Sequence, residues 1–372
     1  VNGKTCDVLC PGMALLVLAA VLMAPPSIPG QEVIVTKSSA EKITIDISTV
    51  RAGGGNGALF TTVFRSDLEK SGWFRLSGSA APAYTVSGAG EVGVSAASVA
   101  ITVVNNATRE TPLRQTFGNP QGDARRLAHV TADAVVRAIT GQRGLAGARL
   151  MLVGDRTGSK ELYVCDADGG NLVQWTKDRS ISMNPSWLPD GRRVIYISFL
   201  HGFADMYLIE LASGQRTRIA NYPGINMGGD VAPDGRTVAL VLSKDGNPDL
   251  YLRGMDGGQL TRLTRTSAWG EASPSWSPDG SQLVYVADRG RARHLYIGGR
   301  DGGEPRKITT RSSENVDPDW GANGLIAYSS RRDGRFVIMV YDPSNNSHRC
   351  VSGGDADYEE PSWAPDGRHI FC

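Results

Sequence analysis

The hexapeptide GAGEVG at residues 88–93 has the G-x-G-x-x-G spacing that lets a strand-to-helix turn bring backbone amides onto a dinucleotide pyrophosphate. That chemistry needs a helix to follow at once, and residues 94–104 read as β structure instead, so nucleotide binding is set aside. DADGG at 166–170 opens like a calcium loop but lacks the distant Glu; later repeats carry DGG at 256–258 and 301–303 in the same place, so a turn is expected. There is no G-x-S-x-G, and His129, His201, His294, His348 and His369 are scattered with no nucleophile beside them. His129 reads as a packing or capping residue rather than a catalyst. Cys6, Cys10, Cys165, Cys350 and Cys372 form no C-x-x-C and meet no histidines at zinc spacing, so neither a metal cage nor a disulfide framework is expected, and no cofactor. A propeller-containing hydrolase or lyase is therefore the weaker reading, since a hydrolase domain has no room and a lyase has no His, Lys or metal set to use.

The residues better suited to function are those that could hold a protein. Asn184, Asn226, Met227, Glu271, Ser273, Asn315, Asp317, Tyr358 and Glu359 fall in five short loops that recur at one position of a repeat. Amide, carboxylate, Met and Tyr groups gathered round one concavity can anchor a partner's loop by hydrogen bonds and adaptable packing. A carbohydrate sensor would show aromatic side chains there, and Tyr358 is the one such residue in the set.

The repeat itself is PSWLPDG (185–191), GDVAPDG (229–235), PSWSPDG (274–280), PDWGANG (318–324) and PSWAPDG (361–367). Its turn residues Asp190, Asp234, Asp279, Asn323 and Asp366 lie 44, 45, 44 and 43 positions apart, the period of a four-stranded propeller blade. Each unit reads as a strand carrying Trp, a Pro-Asp-Gly turn, an apolar strand, a second apolar strand and an outer strand. Trp187, Trp276, Trp320 and Trp363 are expected in the core between blades. Residues 150–176 supply three strands with no Trp segment before them, and the chain enters a further repeat after residue 366. A six-bladed ring with a truncated sixth blade is expected, or else a five-bladed ring closed by residues 361–364.

Residues 31–144 have another grammar: strands near 32–35 and 43–47, a Gly-rich loop at 53–57, a helix near 59–68, β structure from 73 to 117 and a helix near 123–140. The fold class is thus mainly β, a small α/β domain followed by a β-propeller at 145–372. Lys4 and the apolar run at 13–24, stopped by Pro25, Pro26 and Pro29, read as a signal peptide within residues 1–30, too short for a permanent span. With 39 basic and 38 acidic residues there is no global field for nucleic acid or anionic lipid.

DLEKSGWF (67–74) and RLAHVTAD (126–133), running on to ITGQRG (139–144), resemble the two helix motifs of the TolB family's amino-terminal domain, and like them stand just before a propeller. The resemblance, which covers roughly residues 32–367, implies a non-enzymatic, monomeric periplasmic adaptor of the Tol-Pal system, not membrane-spanning after signal cleavage. It implies a Pal-like peptidoglycan-associated lipoprotein at the propeller mouth and TolA at the amino-terminal segment Glu32, Val33, Ile34 and Val35. It further implies coupling between the two partners and a role in outer-membrane integrity and cell division.

Overall fold

A computed structural model describes residues 33–35, 42–77, 81–266, 270–290 and 292–372. The expected signal peptide at 1–30 and Glu32 lie outside the described residues. Among those described, no helix is long and apolar enough to cross a membrane, and Cys165 and Cys350 are free thiols.

After β1 (Val33–Val35), the first domain comprises β2 (Ile43–Gly53), α1 (Gly57–Lys70), β3 (Phe74–Leu76), β4 (Tyr84–Val92), β5 (Ala97–Asn105), β6 (Leu113–Asn119) and α2 (Ala124–Thr140). The sheet runs β3-β2-β4-β5-β6, with β2 parallel to both its neighbours and the rest antiparallel. Phe60, Phe64 and Leu68 of α1 and Leu127, Val135 and Val136 of α2 share one core with Ile45, Val86, Val99 and Ile101 of the sheet. Helix α2 starts at Asp123, whose carboxylate accepts from Arg126 N at 2.9 Å, and stops at Gly141 in the left-handed conformation, φ 71°. Strand β2 runs past the expected end at 47 because, beyond a bulge, Thr49–Gly53 pairs with Ser87–Glu91. The GAGEVG hexapeptide lies in β4 and the turn after it. A Cβ on Gly90 would stand 2.1 Å from the Ser98 carbonyl oxygen, so that glycine lets β5 approach rather than a phosphate.

Residues 141–148 lead into the propeller. Its first blade holds β7 (Arg149–Gly154), β8 (Glu161–Asp166) and β9 (Val173–Gln174). The second holds β10 (Ser182–Trp187), β11 (Arg193–Ser198), β12 (Asp205–Glu210) and β13 (Arg216–Ala220). The third holds β14 (Asn226–Val231), β15 (Thr237–Leu242), β16 (Asp249–Gly254) and β17 (Leu260–Arg262). The fourth holds β18 (Glu271–Trp276), β19 (Gln282–Asp288), β20 (Arg293–Gly299) and β21 (Gly302–Lys307). The fifth holds β22 (Asn315–Trp320), β23 (Ile326–Arg332), β24 (Arg335–Asp342) and β25 (Ser347–Cys350).

The expectation of six blades is thereby corrected to five. Where a sixth would stand there is a hairpin, β26 (Ser362–Trp363) with β27 (His369–Phe371), whose third strand is β1. The pairing is antiparallel, with Val33 opposite Phe371 and Val35 opposite His369. Residues 361–364 do not complete the first blade, because β26 pairs with β27. The hairpin packs both ways: Ile370 against Ala327, Ile338 and Val340 of the fifth blade, and Phe371 and Ala364 against Leu145 and Leu150.

Two features recur from blade to blade. Tyr196 faces Tyr207 and Tyr285 faces Tyr296 across the middle strands, with ring centroids 5.8 and 6.2 Å apart. The hydroxyls of Thr176, Thr264, Thr309 and Ser352, each closing an outer segment, accept from the amides of Leu162, Leu250, Leu295 and Ile338 at 2.8–2.9 Å. Of the repeated tryptophans, Trp276 is 3% exposed and donates from Nε1 to Asp230 O of the preceding blade at 3.1 Å, whereas Trp187, Trp320 and Trp363 are half-buried. Trp276→Ala is expected to cost about 3–5 kcal/mol, read as a lowered urea midpoint, and Trp187→Ala less than half of that. Equal losses at the two positions would contradict this account of the blade interfaces.

Candidate partner-docking site

The inner strands of the second to fifth blades each break register near their start, between Met183 and Ser186, Met227 and Gly229, Ala272 and Ser275, and Val316 and Asp319. Inside each break one residue is left-handed: Asn184 (φ 49°), Gly228 (50°), Ser273 (48°) and Asp317 (50°), with Glu360 (53°) at the same point before β26. A bulge of this kind re-aims the chain, and the left-handed backbone at non-glycine residues carries local strain. The five form one ring. A Cβ on Gly228 would stand 3.6 Å from Ser273 N, the Ser273 hydroxyl bonds Asp317, Asp317 feels Glu360, and Glu360 feels Lys160 of the first blade.

Of the residues nominated from sequence, Asn184 is exposed at this mouth, and Met227, Ser273, Asp317, Tyr358 and Glu359 are half-buried there. Asn226, Glu271 and Asn315 are 1%, 2% and 0% exposed and face inward. Asn226 Oδ1 accepts from Tyr222 N at 2.8 Å while its Nδ2 donates to Tyr222 O at 2.7 Å, closing the loop ahead of β14. Asn315 donates to Ser312 O at 3.2 Å and accepts from Ser330 Oγ at 3.0 Å. Glu271 accepts from Thr264 Oγ1 at 3.2 Å beside Asp249, and burial followed by that like charge pushes its carboxyl up to about 7. Neighbouring residues of a strand point to opposite faces, and beside these three Met227 is half-buried and Ala272 exposed, whereas Val316 packs on the core of the fourth and fifth blades.

The mouth is acidic on one side. Burial, then repulsion from Glu360 and Glu359, pushes Asp317 up to about 7, and burial raises Glu359 and Glu360 as well. Below the bulges a second ring ties the blades together: Ser186 Oγ donates to Asp230 at 3.1 Å and Ser275 Oγ to Asp319 at 3.5 Å.

The other place where elements converge is the junction of the two domains. His129 on α2, 1% exposed, bonds Asp67 of α1 through Nδ1 at 2.7 Å and faces Asp166 of the first blade through Nε2 at 3.4 Å. Arg125 pairs with Asp168 and, at 3.5 Å, with Asp166. His129, Asp166 and Asp168 stand close enough to ligate a metal, but the Arg125 guanidinium already occupies the carboxylates, so the donor set fits an ion-pair clamp better than a cation site. The DADGG segment is a turn, as expected, and its two aspartates are also the propeller's half of this clamp. Asp133 completes the junction by accepting Ala146 N and Gly147 N of the linker, both at 2.9 Å. Sequence reasoning found both helix motifs yet took His129 for a packing residue; Asp67 and His129 lie 62 positions apart, and their pairing has no local signature. Near the junction, Arg368 donates to Ser71 O at 3.3 Å and lies 3.7 Å over the Trp73 ring, so the turn before β27 also touches the first domain.

A family model described as TolB beta propeller domain matches residues 136–372. A Tol-Pal system protein TolB of Bordetella avium is 30% identical over 211 residues, covering 51% of this chain and 48% of its own. One from Syntrophotalea carbinolica is 45% identical over 73 residues, covering 20% of this chain and 17% of its own. The chain thus spans about half, or less, of the length of these curated relatives. The crystal structure of TolB from Acinetobacter baumannii superposes with a TM-score of 0.78 at 23% identity, over 91% of this chain and 89% of that one, a likeness of fold.

Burial opposes charge on His129, but its bonds to Asp166 and Asp67 outweigh that and hold the ring at about 9. The stability this raised value supplies is complete below the ordinary histidine range near 6.5 and is lost as pH rises through about 9. The melting temperature is therefore expected to fall between about pH 7 and about pH 10 by more in the natural chain than in His129→Gln. Parallel falls in the two proteins would remove the clamp from the account.

Proposed function

Since the chain belongs to the TolB family, we propose that it is a periplasmic adaptor of the Tol-Pal system, docking a Pal-like peptidoglycan-associated lipoprotein at the propeller mouth and TolA at its amino-terminal region. Outer-membrane integrity and cell division are the processes this adaptor would serve. The observation that carries the reading is the ring of left-handed residues Asn184, Gly228, Ser273, Asp317 and Glu360. Rigid blades hold four bulges and the left-handed Glu360 around one opening, and Met227, Tyr358 and the mouth carboxylates supply adaptable packing and hydrogen-bond acceptors beside them.

The amino-terminal half of the proposal rests on β1. A strand of three residues pairs at one edge with β27, so its release breaks few hydrogen bonds. The same hairpin touches the first domain through Arg368, which gives one element contact with the segment proposed for TolA, the ring and the domain junction. Exchange of β1 between β27 and TolA would then be biased by whatever shifts the hairpin, including a lipoprotein at the mouth.

The acids give the mouth a signature. A partner's cationic side chain favours ionised Asp317, so docking releases a proton and tightens as pH rises through about 7. By calorimetry, the Pal-like domain is expected to bind the natural chain more tightly at about pH 8 than at about pH 6. Met227→Ala and Glu359→Ala should each weaken binding by about tenfold, some 1.4 kcal/mol. Asp317→Asn should flatten the pH dependence. A folded chain that shows no binding, or binding indifferent to all three changes, would sink the mouth assignment. Deleting residues 33–35 is expected to abolish capture of TolA in a pull-down, and full retention would refute the role given to β1.

A further inference from the structure

A groove of about 660 Å³ runs along the rim between the third and fourth blades. Four guanidinium groups line it, those of Arg253, Arg262, Arg265 and Arg300, against one lining carboxylate, Asp301. Asp249 and Asp234, just outside the lining, pair with Arg262 and Arg300, so the local excess is that of Arg253 and Arg265, and a concave wall concentrates its field.

The four arginines play two parts. Arg262 is fixed by buried Asp249, with Nη2 to Oδ2 at 2.5 Å, and by Thr264 O at 3.1 Å. Arg300 is fixed by Asp234 at 3.5 Å and Thr237 Oγ1 at 2.9 Å and lies 5.4 Å over the Trp276 ring. Arg253 and Arg265 form no ion pair among the described residues. Several arginines elsewhere are matched, Arg216 with Asp178 at 2.6 Å, Arg218 with Asp205 at 3.2 Å, and Arg331 with Glu314 at 2.6 Å, while Arg306 meets the Tyr341 hydroxyl at 2.9 Å. Two tethered and two unmatched guanidinium groups along one trough leave donors whose planar forks suit carboxylate or phosphate oxygens.

We infer that this groove is a binding site for a linear anionic ligand that presents carboxylate or phosphate groups along a chain. Arg262 and Arg300 provide a preset floor, and Arg253 and Arg265 close on the anionic groups. The inference does not draw on the adaptor reading, since none of its residues lies at the mouth or on β1.

The test is fluorescence anisotropy of the full chain with labelled poly-L-glutamate and, separately, labelled inorganic polyphosphate, at about 50 and about 200 mM salt. Binding of at least one polymer is expected, weakening at the higher salt as the ion contacts are screened. The doubly changed chain, Arg253→Ala with Arg265→Ala, should lose about tenfold or more in affinity with an unchanged melting temperature. Arg218→Ala, which removes a matched arginine on another blade, should change affinity by less than about twofold. Glutamate polymer alone binding assigns carboxylate groups, polyphosphate alone assigns phosphate, and both together assign the shared charge. The inference is overturned if neither polymer binds at the lower salt, or if the double change leaves affinity where it was.

Discussion

A bulge frees backbone groups that a regular ladder would have used, and in this ring those groups are taken up by the blade before. Trp276 N donates to Asp230 at 2.9 Å, Trp320 N to Ser275 Oγ at 3.0 Å, and Trp363 N to Asp319 at 2.5 Å. A buried amide without an acceptor costs about 1–3 kcal/mol, so each inner strand is placed by its predecessor as firmly as by its own sheet. The alternation Ser186, Asp230, Ser275, Asp319 is therefore a chain of dependence round the axis, and the left-handed residues two positions ahead of each member inherit their arrangement from it. The mouth is as rigid as this relay.

The relay has a cost in charge. Burial pushes Asp319 up to about 7 and also raises Asp230, and the amides donated by Trp363 and Trp276 offset only part of that. Serine on either side supplies hydroxyl donors without a further charge, which explains the alternation physically: two aspartates in succession would face each other with no cation between them. The clamp at the domain junction solves the opposite problem. There Asp67 and Asp166 come from different domains, and His129 stands between them as a cation, so two carboxylates that would repel become one bridge.

Much of this was legible in the sequence. The spacing of the Pro-Asp-Gly turns marked the repeat, and the apolar runs marked its middle strands, because both are local consequences of turn chemistry and pleat. The loops at the mouth were located, but not which residue of each loop would face outward. Asn226 and Met227 are neighbours in a strand, and only the register of β14 on β15 decides which is buried. The Glu271 carboxyl misled for a related reason. A charged residue is ordinarily at the surface, and its burial here depends on Thr264 and Asp249 of the preceding blade. The blade count failed where the chain pairs over the longest range. Nothing in residues 33–35 announces that their partner is 369–371, and Asp67 gives no sign of His129.

The pairing of Val33 with Phe371 also sets an order of events in synthesis. Contacts between segments so far apart carry a large loop-closure cost and form late. As the chain emerges amino-terminal side first, each interior blade can zip as soon as its fourth strand is free, while β1 waits for residues 369–371. The first blade meanwhile keeps an open flank. A chain still emerging is thus an incomplete circle with two sticky rims, and a chaperone that shields strand edges would have its longest task at β1 and the first blade.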